Sequence, residues 1–251
     1  MVFSHVNEGE MNLGDATTSA FTIFDEIGVD VSYLGRDFLK CCGHDQKWQG
    51  LTEVFDKLKA YNQKKIQQSG IDTLVSSCAE CFRTFARDYE LEDVKVMHTT
   101  EFLIEQGFDM NLKVEEETTV TYHDPCRLGR QMGIYEEPRE LIQSVEGVSI
   151  VEMEHSGEDA MCCGVSSMMS CNENARALRV ARMEEIKSTG ADTMLTSCPK
   201  CVSHFECLKF EGDERYSDIK ILDVVSFLAQ QINEKNEKIG QESINIIETE
   251  A

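Results

Sequence analysis

The sequence predicts an α/β protein made of two tandem copies of one module, each a small parallel-type layer of strands and helices. The first sign is internal repetition. Ser69-Gly-Ile-Asp-Thr-Leu-Val-Ser-Ser-Cys-Ala-Glu-Cys81 and Thr189-Gly-Ala-Asp-Thr-Met-Leu-Thr-Ser-Cys-Pro-Lys-Cys201 match at an offset of 120 in Gly70/Gly190, Asp72/Asp192, Thr73/Thr193, Ser77/Ser197 and both C-x-x-C cysteines. The second sign is that the triplets Cys41-Cys42-Gly43 and Cys162-Cys163-Gly164 match at an offset of 121. The third is the alternation of short β-rich runs with amphipathic helical stretches, the pattern of parallel α/β layers.

The elements follow in order. Asp15 to Ile27 carries Phe21, Phe24 and Ile27 at helical spacing, and Gly28 suits its C-cap. Val29 to Leu34 reads as a strand. Thr52 to Gln68, with Val54, Phe55, Leu58, Tyr61 and Ile66, is a second amphipathic helix. Strands at Thr73 to Ser76 and Val94 to His98 and a short helix at Glu101 to Gln106 complete the first copy. The second copy offers strands at Thr119 to Tyr122, Val148 to Val151, Thr193 to Thr196 and Ile219 to Leu222. Its helices are Glu137 to Val145, Ala175 to Lys187 and Val224 to Ile232. Both C-x-x-C motifs then sit just past strand ends, where α/β proteins place their sites. The copies span 1–112 and 118–232, joined through the acidic stretch 111–118. The polar residues 233–251 read as a frayed tail.

Composition bounds the function. A chain of 251 residues accommodates one large or two ordinary domains. A formal charge of -22 argues against nucleic acid or an anionic membrane surface as partner. No apolar leader and no run of 18 apolar residues is seen, so the chain reads as cytoplasmic and not itself transmembrane.

Nine of the eleven cysteines belong to the repeated pattern once Cys126 is counted with the second copy. A cytoplasmic context disfavours disulfides, and the cysteines are too patterned for scattered core thiols, which leaves soft-metal ligation. Four thiolates suit a tetrahedral zinc or a cubane cluster. The second copy offers five, Cys126, Cys162, Cys163, Cys198 and Cys201, one too many for zinc. Adjacent cysteines reach one centre only if the backbone turns sharply, and Gly43 and Gly164 are placed to allow that turn.

The duplicated pattern C-x(n)-C-C-G-x(m)-C-x-x-C resembles the cysteine-rich CCG domain of the catalytic subunits of heterodisulfide reductases, which form either a whole subunit or the C-terminal part of a longer one. His123-Asp124-Pro125-Cys126-Arg127-Leu128-Gly129-Arg130, Met161-Cys162-Cys163-Gly164 and Thr196-Ser197-Cys198-Pro199-Lys200-Cys201 carry the likeness, which covers roughly residues 5 to 230. The motif is shared with iron-sulfur subunits of lactate, glycolate, glycerol-3-phosphate and succinate oxidation. The resemblance implies a noncubane [4Fe-4S] cluster on Cys126, Cys162, Cys163, Cys198 and Cys201, with the two repeats packed so that the cluster sites lie near their interface. It implies reduction of a CoM-S-S-CoB-like disulfide of methanogenesis. The alternatives are an iron-sulfur electron-transfer subunit of one of the other oxidising complexes, or a zinc-bearing non-catalytic subunit.

The first copy departs from the family pattern, which has a cysteine 30 to 40 residues before the first Cys-Cys-Gly. Here the vacancy falls near Ser4 to Glu8, close to His5. Three readings stay open: His5 or Glu8 replaces it as ligand, the chain is N-terminally shortened, or Cys41, Cys42, Cys78 and Cys81 hold zinc or an ordinary [4Fe-4S] cluster. Cys171 and Cys207 read as packed thiols. His123 is a candidate to tune or protonate a cluster-bound thiolate, or else bonds loop backbone; His44 and His98 read as structural. Met168 and Met169 suit core packing. Arg127 and Arg130 are candidates for anionic substrate groups. With no ferredoxin motif and no flavin or nicotinamide fingerprint, electrons are expected from other redox subunits carrying ferredoxin-type clusters and flavin or haem, through which any membrane association would run.

Overall fold

A computed structural model describes residues 15–35, 38–165 and 172–249. His5, Glu8, the run 166–169 and Cys171 lie outside the described residues. The element order is α1 (Asp15–Glu26), α2 (His44–Trp48), α3 (Thr52–Ser69), β1 (Thr73–Ser76), α4 (Ala79–Asp88), β2 (Lys95–His98), α5 (Thr99–Glu105) and β3 (Lys113–His123). Then follow α6 (Gly129–Met132), α7 (Glu136–Gln143), β4 (Glu146–Ile150), α8 (Glu173–Ser188), β5 (Thr193–Thr196), α9 (Pro199–Phe210), β6 (Lys220–Asp223) and α10 (Val224–Thr249).

All strand pairs are parallel. The second repeat forms a four-stranded sheet in the order β4-β3-β5-β6, and the first a two-stranded sheet, β1-β2. The repeat is visible at atomic level: Lys95 N donates to Asp72 O at 2.7 Å, and Lys220 N to Asp192 O at the same distance. Helix α5 starts at the end of β2, and α10 at the end of β6. The His98 ring accepts from the Thr100 amide, as the Asp223 carboxylate accepts from the Val225 amide.

The repeats cross-pack. Helix α1 lies against α10, its Phe24 and Ile23 sharing one core with Leu228 and Ile232, and α5 lies against α7 through Phe102, Leu103, Leu141 and Ile142. Since α1 corresponds to α7 and α5 to α10, this exchange gives the fold approximate two-fold symmetry. A second core lies under β5 and α9 and takes in Ala79 and Phe82 of α4 from the first repeat. A third, around Phe55, Ile66 and Phe85, belongs to the first repeat alone.

Several expectations are corrected. Val29 to Leu34, read as a strand, forms no ladder, because no strand lies beside it among the described residues. The stretch read as an inter-copy join is, from Lys113, the start of β3; Val114 is buried while Glu115 to Glu117 face water, and the ladder to β4 shifts register between Lys113 and Thr118. The residues read as a frayed tail continue α10 to Thr249. No proline breaks the helix, and Lys235 bonds the Met110 carbonyl at 2.8 Å, Asn236 the Glu26 carboxylate at 2.7 Å and Lys238 that of Glu115 at 2.7 Å. Helices α4 and α9, opening at the C-x-x-C motifs, are not anticipated from periodicity.

Burial of the neutral His98 ring pushes its pKa down to about 4. An unfolded chain takes up that proton near pH 6.5, so this part of the stability is complete above pH 6.5 and is lost as pH falls toward 4. Asparagine caps a helix without titrating. In His98→Asn, urea unfolding between about pH 6.5 and 4 should therefore show a pH slope shallower by about one proton, ~1.4 kcal/mol per pH unit.

Candidate metal centre

The Cys-Cys-Gly turns are built alike. Gly43 and Gly164 take φ of 81° and 91°, in the left-handed region. There each glycine amide turns back to the first cysteine of its pair, Gly43 N to Cys41 Sγ at 3.5 Å and Gly164 N to Cys162 Sγ at 3.3 Å. A Cβ on Gly164 would lie 2.6 Å from the Ala175 carbonyl oxygen, whereas one on Gly190, also at positive φ, would meet nothing within 4 Å. Cys78 and Cys198 occupy the N-cap positions of α4 and α9 without a side-chain bond to the helix amides.

Folding brings all nine predicted cysteines into one continuous row. Cys41 contacts Cys42, Cys42 contacts Cys81 at 3.2 Å between sulfurs, and Cys81 contacts Cys78. Cys78 meets Cys198 across the repeat interface, Cys198 meets Cys201, and Cys201 lies 3.4 Å from Cys163. Cys163 contacts Cys162, which contacts Cys126. The separations at Cys42–Cys81 and Cys163–Cys201 are far beyond a disulfide bond and suit ligands converging on shared centres. Cys207, on α9, is half-buried.

The row is electrostatically frustrated. Hydrogen bonds from neighbouring thiols hold Cys42 and Cys78 well below the ordinary thiol value, while Cys41, Cys81, Cys126, Cys163 and Cys201 are pushed above it by the thiols beside them and by burial. Cys198 is likewise pushed up, the Cys78 contact and burial outweighing the Cys201 bond. Only part of such a crowded, largely buried row can ionise without cations, so binding a metal there would expel protons.

Around the row the structure sets groups that the motifs do not announce. Glu80 and Lys200, third residues of the two C-x-x-C motifs, face each other across the interface with Nζ–Oε2 2.5 Å, and Lys200 also meets Asp45 at 2.5 Å. His44, Asp45 and Glu80 are close enough to bind a metal, but the Lys200 ammonium already neutralises that acidic pair. Burial and the Cys78 charge raise Glu80 to about 7, with Lys200 opposing. The signal was present in the sequence as opposite charges at equivalent repeat positions. Trp48 lies at the same seam, with the Arg127 guanidinium 3.9 Å and that of Arg83 5.5 Å from its ring centre.

His123 is buried, and one ring nitrogen lies within 4.8 Å of the Cys163 and Cys201 sulfurs. Arg182 Nε donates to its Nδ1 at 3.1 Å, which leaves the ring proton on Nε2. Burial and Arg182 push its pKa down to about 3, so His123 stays neutral at physiological pH. Asp124 accepts two bonds from Arg139, at 2.8 and 2.9 Å, and one from Gly157 N at 2.8 Å, fixing the loop that carries Cys126. His44 bonds Thr84 at 3.1 Å and is held to about 4 by burial and Arg127; its contact with Glu80 is 3.5 Å. Arg130 donates to the Ala160 carbonyl at 2.7 Å, so its guanidinium is tied to backbone.

The family model described as "Cysteine-rich domain" (CCG) matches residues 12–86 and again 120–206. The chain is 32% identical over 222 residues to a subunit of the dihydromethanophenazine:CoB–CoM heterodisulfide reductase of Methanosarcina acetivorans, covering 84% of this chain and 53% of that protein. It is 32% identical over 224 residues to a subunit of the fumarate reductase (CoM/CoB) of Methanothermobacter marburgensis, covering 87% and 44%. To the probable iron-sulfur-binding oxidoreductase FadF of Bacillus subtilis it is 28% identical over 230 residues, covering 87% and 32%. The chain spans about half the length, or less, of these curated relatives.

Two outcomes follow for stability. Gly190→Ala should cost roughly 1–2 kcal/mol for its left-handed backbone alone, and Gly164→Ala distinctly more, in chemical denaturation of the metal-free chain. Lys200→Ala, which leaves the buried Glu80 carboxylate without its cation, should cost roughly 3 kcal/mol, and much of that loss should be recovered in Glu80→Ala/Lys200→Ala.

Proposed function

This chain belongs to the CCG cysteine-rich domain family, and from that premise we propose that it is an iron-sulfur oxidoreductase subunit of the heterodisulfide reductase type. The observation that carries the reading is the row of nine thiols, four of them buried and the rest half-buried, which runs through both Cys-Cys-Gly turns and both C-x-x-C motifs. Cys126, Cys162, Cys163, Cys198 and Cys201 fit a noncubane [4Fe-4S] cluster: the donor set is all sulfur and the glycine turn lets adjacent cysteines converge. Cys41, Cys42, Cys78 and Cys81 form the companion site, for a second cluster or zinc, with His5 as candidate additional ligand.

A bound cluster supplies electrons and an iron able to accept sulfur. The reaction consumes a small-molecule disulfide, two electrons and two protons and yields two thiols. The chain's own residues hold the ligands in place, through the Asp124–Arg139 clamp and the cross-interface Lys200–Glu80 pair. His123 stays neutral beside Cys163 and Cys201 and holds no stored proton there. Arg127, stacked on Trp48, sets positive charge beside Cys126 in a chain of net charge -22, where an anionic substrate would otherwise be repelled. Partner redox subunits deliver the electrons. No helix of the described residues is long and apolar enough to cross a membrane; we place the chain in the cytoplasm, in complex with those partners.

A second reading is electron transfer without disulfide chemistry; FadF, which resembles this chain nearly as well, is named only as a probable iron-sulfur-binding oxidoreductase. The two separate in one assay. Anaerobic protein given reduced viologen should reduce the CoM-S-S-CoB heterodisulfide, an activity abolished in Cys163→Ala, and Arg127→Glu should raise KM about 10-fold, ~1.4 kcal/mol. Iron-bearing protein that reduces no disulfide yet exchanges electrons with a flavoprotein partner would establish the second reading.

A further inference from the structure

The repeat sets two buried polar side chains in matching places and gives only one of them a charge. The offset of 120 that aligns Gly70 with Gly190 also aligns Ile66 with Ile186, both fully buried, and Asn62 of α3 with Arg182 of α8. Packing at the other end of the two helices obeys the same offset. A Cβ on Gly43 would lie 2.7 Å from the Phe55 ring, and one on Gly164 would lie 2.6 Å from the carbonyl oxygen of its counterpart, Ala175. Asn62 and Arg182 are both fully buried, one neutral and the other a cation.

Asn62 serves the backbone of the first Cys-Cys turn. Its Nδ2 donates to the carbonyls of Cys41 at 3.0 Å and Lys40 at 3.3 Å, and its Oδ1 accepts from the Lys40 amide at 2.8 Å. Arg182 instead turns to a side chain. Its Nε donates to His123 Nδ1 at 3.1 Å, and the His123 ring lies within 4.8 Å of the Cys163 and Cys201 sulfurs. Nη1 donates to the His155 carbonyl at 2.7 Å and to the partly exposed Glu185 carboxylate. Nη2 is buried with no hydrogen-bond partner among the described residues. The guanidinium is close enough for its charge to act on Cys201 directly.

An iron-sulfur cluster gains one negative charge with each electron, and its potential follows the charge and burial around it. A buried cation is poorly screened, so it favours the electron-richer state of a neighbouring cluster. We propose that Arg182 raises the reduction potential of the cluster held by Cys126, Cys162, Cys163, Cys198 and Cys201, Asn62 being the uncharged version of the same position in the first repeat. That role rests on the proposed cluster in the second repeat. Arg182 fills it through space and through His123, without being a ligand.

Anaerobically purified full-length chain, titrated with reductant and mediator dyes and followed by EPR, gives the potential directly. The second-repeat signal is the one that Cys126→Ala/Cys198→Ala abolishes. Arg182→Asn, which installs the first repeat's residue, should disfavour reduction of that cluster about 10-fold, a fall of about 59 mV for one electron. Arg182→Lys keeps the charge and should stay within about 3-fold of the parent, while Glu185→Gln removes the arginine's counter-charge and should favour reduction by about 3-fold or more. Damage to the fold alone would not move the two variants in opposite directions. An unmoved potential in Arg182→Asn that keeps its iron and sulfide would overturn the proposal and leave the cluster reading intact, as would a fall in Arg182→Lys equal to that in Arg182→Asn. If Arg182→Asn loses its cluster, Glu185→Gln decides, and a potential unmoved or lowered there would overturn the proposal. Parent protein without iron and sulfide would overturn both this role and the cluster reading.

Discussion

Two C-x-x-C motifs meet across an approximate two-fold axis, and the remaining architecture is arranged around that meeting. Each motif opens a helix at the end of a parallel strand, so its first cysteine projects beyond the sheet. Facing the two repeats brings Cys78 against Cys198 and lets the thiols of both copies run on as one row. The third residues, Glu80 and Lys200, then lie opposite each other. A symmetric repeat would place like charges there; this sequence places opposite ones and adds Asp45 to the lysine's partners. Such a buried pair contributes little net stability compared with apolar packing, but breaking it is costly, and it opposes any docking that would misalign the cysteines.

The surrounding electrostatics follow from the same meeting. Thiolates withdrawn from water need nearby positive charge or donors, and the chain supplies them locally although its net charge is strongly negative. Arg182 holds His123 neutral and oriented, Arg139 fixes the aspartate beside Cys126, and Arg127 lies over Trp48 at the seam. The cross-packing of α1 on α10 and α5 on α7 ties each repeat's cysteines to the other's core. The cysteine row is therefore a property of the pair of repeats rather than of either alone.

Much of this was legible in the sequence where the signal was local and repeated. The strands β1 and β5, the cysteines just beyond them and the glycine turns all follow from spacing. What was not legible depended on neighbours. Val29 to Leu34 has strand composition, but composition cannot supply the partner a ladder needs. The acidic run before Thr118 looked like a linker because Glu115 to Glu117 face water, while Val114 alone marks the buried side. The end of α10 looked frayed because its polar residues bond to distant partners, Met110, Glu26 and Glu115. Helices α4 and α9 were hidden because their first turns carry the cysteines. Arg182 and Arg139 have no local signature, since they act through His123 and Asp124, distant in sequence.

The proposed function requires the row to be a ligand array for clustered metal. The decisive quantity is the iron, zinc and acid-labile sulfide carried per chain by anaerobically purified protein. About four irons or more with matching sulfide are expected, the second repeat's share lost when Cys126 and Cys198 are both replaced by alanine and the whole retained when Cys207 is. Protein carrying zinc without sulfide, or no metal at all, would contradict the array.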